Sequence, residues 1–260
     1  RIPHFAMARR YPLHVSWEFP IKWRSGETMT KLLGLLAALC IASPVSAATT
    51  TTVRDTWPTT ALGSINRDVF DMALAATSCA ERAGAVNQPA TLTVIDYSLP
   101  STDKRMWVYD LRTQTLLYEE LVSHGQGSGA NVAGRFSNVP GSYQTSLGLF
   151  VTAEPYMGKN GYSLRLDGLE TGVNDRARER AIVMHGAPYV SEAFVAANGR
   201  LGRSQGCPAV RTEIAHDLIN TVKGGGLVFA YAKDPAWLRA SAYLGQCAAA
   251  ANPPAGRTTR

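Results

Sequence analysis

Between Thr91 and Tyr231 the chain is a succession of short β-branched and aromatic runs cut by Gly, Pro, Asn and Ser turns. The runs are Leu92–Asp96, Arg105–Asp110, Leu116–Val122, Leu149–Thr152, Ser163–Leu166, Ala181–Met184 and Leu227–Tyr231. Each is too short for a helix and has the composition of a strand. Helical spacing is confined to the two ends. Ser64 is expected to cap a helix reaching about Ala83 and Gly84, with Ile65, Val69, Met72, Ala76 and Cys79 inward and Arg67, Asp68 and Asp71 in water. Ile214, Leu218, Ile219 and Val222 line one face of a second helix, and a short third carries Trp237, Leu244 and Cys247. Strands bracketed by helices imply a single mainly-β domain, a sandwich or barrel with flanking helices. The hydrophobic share of 45% over 260 residues is enough for one substantial core.

The N-terminal part has a different texture. Met29-Thr30-Lys31, the apolar run Leu32–Ala42 and the ending Ser43-Pro44-Val45-Ser46-Ala47 form the basic start, hydrophobic stretch and small-residue cleavage site of a signal peptide over 29–47. Cleavage is expected between Ala47 and Ala48, taking Cys40 away; a buried core helix of similar length is the alternative. Residues 1–28 read as an unstructured upstream extension and 48–90 as a lead-in, flexible to about residue 63, followed by the N-terminal helix. Residues 91–247 are expected to form the main folded domain, and 248–260, with Pro253-Pro254-Ala255-Gly256, a disordered tail. Residues 1–47 hold six of the 26 Lys/Arg and two of the 20 Asp/Glu, so the remaining chain is close to +2 rather than +6. The basic pI is a property of the leader, and no nucleic-acid partner is expected. Neither is stable membrane insertion after cleavage, since no apolar run reaches about 18 residues.

Three cysteines then remain. Pairing Cys79 with Cys247 leaves Cys207 free, an arrangement suited to an oxidising compartment; three reduced thiols, with Cys79 a small buried hydrophobe, is the alternative. Cys207 sits in Arg203-Ser204-Gln205-Gly206-Cys207-Pro208, a glycine-flanked turn, and His185 ends the run Ile182-Val183-Met184. A thiol of ordinary pKa needs a histidine or a positive neighbour to become a nucleophile. His185 is the candidate base, and the amides of Gly206 and Cys207 the candidate oxyanion hole. Gly186, Arg203, Ser204 and His124 are candidate substrate-binding residues, His124 because it opens the Gly/Ser/Asn-rich loop 124–142. Tyr143 and Tyr156 are read as core, with groove walls the alternative, His216 as solvent-facing and Asp175–Arg180 as a solvated stretch. Metal-ligand spacing is absent from the sequence, and no cofactor is expected.

His185-Gly186 followed by Ser204-Gln205-Gly206-Cys207 resembles the signature of the L,D-transpeptidase catalytic domain (YkuD-type), a His-Gly and, downstream, Ser/Thr-His-Gly-Cys. Thr145-Ser146-Leu147-Gly148-Leu149-Phe150 resembles the family's Thr-Pro-x-Gly-x-Phe segment, and Trp107–Asp110 its opening strands, so the likeness spans roughly 90–232. Gln205 stands at the family's histidine and Ala209 at its Arg or Asn, as in the divergent murein branch with Gly-Arg-Ser-x-Gly-Cys-Pro-Ala. The resemblance implies a β-sandwich acting on peptidoglycan stem peptides in the periplasm or cell wall, expected here as a monomer. Cys207 would form a thioester with the third-position diamino acid, and His185 would deprotonate the acceptor amine to give a 3-3 cross-link. An L,D-carboxypeptidase or cysteine peptidase with water as acceptor, and a non-catalytic wall-binding module, are the alternatives.

Overall fold

The computed structural model describes residues 57–247; the expected extension, signal peptide and tail lie outside the described residues. Helix α1 (Arg67–Arg82) begins two residues later than Ser64 would place it. Asn66 is the cap, its Oδ1 accepting from the amides of Asp68 and Val69 at 2.9 and 3.3 Å. The buried side is also wider than a single stripe, since Phe70, Leu74, Thr77 and Ala80 join Val69, Ala76 and Cys79. Asp71 is drawn in with them rather than facing water, neutralised one turn away by Arg67 Nε at 3.0 Å. The described part of the lead-in, from Trp57 on, is packed against the domain. The Trp57 ring is buried edge-on against Phe70 and Tyr109, because an indole gains more from packing between two rings than a polar lead-in gains from freedom.

The strands are β1 (Thr91–Asp96), β2 (Met106–Asp110), β3 (Thr115–Glu120), β4 (Gly148–Gly158), β5 (Gly161–Gly168), β6 (Val183–Gly186), β7 (Ala209–Val210) and β8 (Leu227–Tyr231). They form one eight-stranded sheet in the order β3-β2-β1-β8-β4-β5-β6-β7. β1 and β8, parallel neighbours at its centre, are buried at every position, the continuous apolar pattern of a strand covered on both faces. Helix α1 and helix α3 (Thr212–Val222) supply cover, α3 through Ala215, Leu218, Ile219 and Val222. Each large side chain hidden this way contributes about 1.5–3 kcal/mol.

The two edges of the sheet approach each other. Beyond β3, Ser123 N–H donates to Ala209 O at 2.9 Å, Ser204 N–H to His124 O at 3.0 Å and Gln126 N–H to Ser204 O at 2.8 Å. Arg211 grips Glu120 with two bonds of 2.9 and 2.6 Å across the same seam. The result is a barrel-like, mainly-β domain with flanking helices, in which the segment 204–210 is held between the chain around His124 and strand β6.

After β8 come α4 (Pro235–Ala240), capped by Asp234, and a π-helical turn, Ala242–Gln246. Cys247 is disulfide-bonded to Cys79, with Cα atoms 5.8 Å apart, so the last turn is tied to α1. The stretch between Gly186 and Arg203 is not all loop. Helix α2 (Glu192–Asn198) lies within it, capped by Ser191 Oγ and stopped by Gly199 at φ 69°, a seven-residue element too short to register as hydrophobic periodicity. Among the described residues no helix is long and apolar enough to cross a membrane.

Candidate active site

Strand β6 pairs in parallel with β7, His185 opposite Ala209 and Gly186 opposite Val210. Cys207, two residues before Ala209, therefore emerges next to the strand that carries His185. The turn before it depends on Gly206, whose φ of 121° is closed to side chains and whose missing Cβ would lie 2.8 Å from Ile182 Cδ1 and 2.9 Å from Gln144 O. Ser204 Oγ accepts from Gly206 N–H at 3.1 Å and donates to Cys207 O at 2.7 Å. Thr145 Oγ1 accepts from Gly125 N–H and donates to Gly206 O, stitching the turn to the adjacent loop.

A cavity of about 400 Å³ opens over this turn, and Cys207 and His185 both line it. Cys207 Sγ points at Ala181 O, 3.6 Å away. Burial pushes the thiol above its ordinary range, opposed by the Val183 amide and by the charges of Arg180 and Lys159. His185 is also buried, and this desolvation holds its imidazole below 6.5 against the opposing Gly186 carbonyl. Its Nδ1 stands 2.9 Å from that carbonyl, which assigns the proton to Nδ1 and leaves Nε2 as the basic nitrogen. At neutral pH the pair is a thiol and a neutral imidazole.

Of the other candidates, Arg203 and Ser204 line the cavity. Both are engaged elsewhere, Arg203 by Nη1 to Gly129 O at 2.9 Å and Ser204 as the staple of the turn. The Gly206 amide is committed to Ser204, so the oxyanion expectation narrows to the Cys207 amide. Gly186 faces away, with Ala215 and Thr212 of α3 against its α-carbon. His124 is not in the groove. It is fully buried, and Arg105 Nη2 donates to its Nδ1 at 2.8 Å, because pairing of its segment with Ser204 turns the ring inward. Arg105 itself is fully buried and donates to the carbonyls of Leu99 and Val122. His216 is exposed beside Asp217, away from the cavity.

Sequence reasoning missed several residues. For Tyr143 and Tyr156 the alternative, groove walls, holds over the core reading, since both line the cavity, Tyr143 is 45% exposed and Tyr156 lies under the Arg165 guanidinium. Arg180, read as part of a solvated stretch, is half-buried and turned in, its terminal nitrogens donating to Ser137 O, Ser146 Oγ, Ser142 Oγ and Gln144 O. Arg176 and Arg178 in the same stretch do face water, paired with Glu179 and with Asp167 and Glu154. Tyr189 and Lys159 also line the cavity. Residue spacing offered no signal for them, because a turn tip and a loop side chain reach the cavity only through the tertiary fold. Among the described residues no group of three or more His, Cys, Asp or Glu could hold a metal ion.

Residues 62–231, more than half of the chain, match the family model of the L,D-transpeptidase catalytic domain. The chain belongs to that family. No curated protein matches it. Solved structures that match include an L,D-transpeptidase from Stackebrandtia nassauensis, 13% identical with a TM-score of 0.34 over 63% of this chain and 68% of that one. A second, from Mycobacterium tuberculosis H37Rv, is 17% identical with a TM-score of 0.33 over 55% and 58%. The helical cell shape determining protein Pgp2 from Campylobacter jejuni is 15% identical with a TM-score of 0.37 over 57% and 50%. The chain spans about half to three-fifths of the length of several such relatives.

Proposed function

We propose that this member of the L,D-transpeptidase family is an exported enzyme that cross-links peptidoglycan stem peptides through a thioester on Cys207. The observation that supports this best is the cavity shared by Cys207 and a His185 whose Nδ1 is fixed by a carbonyl. Cys207 Sγ attacks the carbonyl carbon of the third-position diamino acid of a donor stem, and His185 Nε2 takes the thiol proton. The Cys207 amide faces the oxyanion that develops. Collapse of that intermediate breaks the bond to the terminal D-alanine, whose amine leaves with the proton from His185. An acceptor amine from a neighbouring stem then loses a proton to His185, attacks the thioester and releases Cys207 as its thiol, leaving a 3-3 cross-link. The chemistry calls on no metal or cofactor.

The resting thiol and neutral imidazole fit this sequence of proton transfers, in which ionisation accompanies attack instead of preceding it. Export follows from the leader over 29–47 and suits the Cys79–Cys247 disulfide, which persists in an oxidising compartment. The test is intact mass spectrometry of the chain lacking 1–47 after exposure to a carbapenem and to a stem tetrapeptide, followed by product analysis. A mass gain on Cys207 and cross-linked dimers are expected. Tripeptide alone would reassign the enzyme as a carboxypeptidase, and the absence of any adduct would sink covalent catalysis altogether.

A further inference from the structure

The cavity over Cys207 has a lopsided charge. Lys159, Arg180 and Arg203 line it, and among the described residues no Asp or Glu does. The three cations differ in what they already hold. Both terminal nitrogens of Arg180 donate to the loop 137–146, and Arg203 donates to Gly129 O. Lys159 has no hydrogen bond or ion pair with any described residue. It stands at the tip of the β4–β5 hairpin, where Gly158 pairs with Gly161 and only Lys159 and Asn160 form the turn. Gly161 at φ 76° closes that turn. Two strands of eleven and eight residues hold the tip in place. Lys159 lines the same cavity as Cys207 and His185, and its charge is felt at both.

We infer that Lys159 binds the free terminal carboxylate of the acyl donor and so restricts the enzyme to donors with one residue beyond the attacked carbonyl. The inference rests on the transpeptidase reading above. An enzyme that removes a single terminal residue must measure the chain end, and the chain end carries a carboxylate one residue past the reacting carbon. A lysine suits this task, as a compact charge on a flexible stem that can follow the donor into place. A donor continuing through a neutral amide would instead offer the ammonium no counter-charge. Lys159 is exposed at the hairpin tip, so against a neutral amide its ammonium keeps water, and the selection comes from the charge-assisted bond that only a carboxylate supplies.

The test compares the wild type, Lys159→Arg and Lys159→Gln with a stem tetrapeptide bearing a free C-terminal carboxylate and with its C-terminal carboxamide. Readouts are KM, kcat, thioester formation by intact mass, and the pH dependence of Cys207 alkylation by iodoacetamide. The wild type is expected to prefer the free acid. Lys159→Gln should raise KM for that donor about ten- to a hundredfold, the range for a hydrogen bond between charged groups, with kcat within about threefold. The acid-over-amide preference should vanish in Lys159→Gln and survive in Lys159→Arg. If the wild type turns over the tetrapeptide but Lys159→Gln keeps the preference, the inference fails while the reaction stands. A Lys159→Gln defect seen only as a higher alkylation midpoint, with the preference intact, also overturns it and makes Lys159 a modulator of the thiol. A wild type acylated by neither donor overturns the reaction and the inference together.

Discussion

His124 and His185 flank the same segment, one on each side of residues 204–210, and their surroundings make them opposites. Both are buried, and burial holds both imidazoles low, His124 at about 4. His185 opens on the cavity with Nε2 available, whereas His124 accepts from a guanidinium that can only donate. A protonated His124 would put two buried cations 2.8 Å apart, so it stays neutral and keeps the Ser204 side of the seam in shape. Burial alone therefore does not mark a base. Access to the cavity beside the proposed nucleophile is what separates them, and the two histidines can be set against each other by substitution.

The largest effect belongs to the cavity side. Cys207→Ala should abolish acylation, and His185→Gln should lower kcat by about 10²- to 10⁴-fold, the usual contribution of a general base. In His185→Gln the melting temperature should stay within a few degrees of wild type, since the amide can still donate to Gly186 O. A folded His185→Gln enzyme with wild-type turnover would remove His185 from the chemistry.

His124→Leu should do the reverse. It leaves one N–H of Arg105 Nη2 without a partner, the other still donating to Val122 O, and urea denaturation should show a loss of about 2–4 kcal/mol. Turnover per folded molecule should stay within about threefold. If turnover falls a hundredfold at unchanged stability, the contrast between the two histidines collapses and His124 belongs to the reaction.

The same contrast predicts a pH dependence. His124 has a folded pKa of about 4 against 6.5 unfolded, so below 6.5 the unfolded chain binds a proton the folded chain does not. Its neutral packing thus stabilises the fold fully above 6.5, and that contribution is lost as pH falls towards 4, by at most about 3 kcal/mol. His124→Leu should flatten this part of the stability profile measured from pH 7 to 4. A slope that persists in the variant would assign it to another group, His185 first.

That Cys207 and His185 share a cavity was legible in the sequence for a local reason. A β-branched run delivers His185 to a strand end, a glycine turn presents Cys207, and one parallel pairing joins them. His124 was misread because a strand-end histidine does not reveal which way its ring turns; that depends on pairing with Ser204, eighty residues on. Arg180 was lost in Asp175–Arg180, where alternating charges suggest solvent and only the loop 137–146 gives it partners. Lys159 was invisible as one polar residue in a hairpin tip. The fold class survived such errors, since runs of strand residues between two helical ends constrain architecture without fixing neighbours. The stop of α1 just before Gly84 could be read from one residue, whereas its start needed the competition between Ser64 and Asn66.

The smallest expected effect concerns what each histidine rests on. His124 is backed by Arg105, whereas the strand of His185 is backed by α3 through Gly186, where an added Cβ would lie 2.9 Å from Ala215 Cβ and 3.2 Å from Thr212 Cα. Helix backbone yields less readily than a side chain, so Gly186→Ala must separate β6 from α3 slightly. Overpacking of this kind costs about 1–2 kcal/mol, visible in urea denaturation. The movement would pass to His185 next door and reduce kcat by a fewfold, while KM for the donor should hold because Gly186 faces the helix and not the cavity. A substrate-binding glycine would give the opposite split, a raised KM at unchanged stability. Gly186→Ala thus tests whether the strand of His185 is placed by packing from behind, as the seam at His124 is placed by the buried guanidinium.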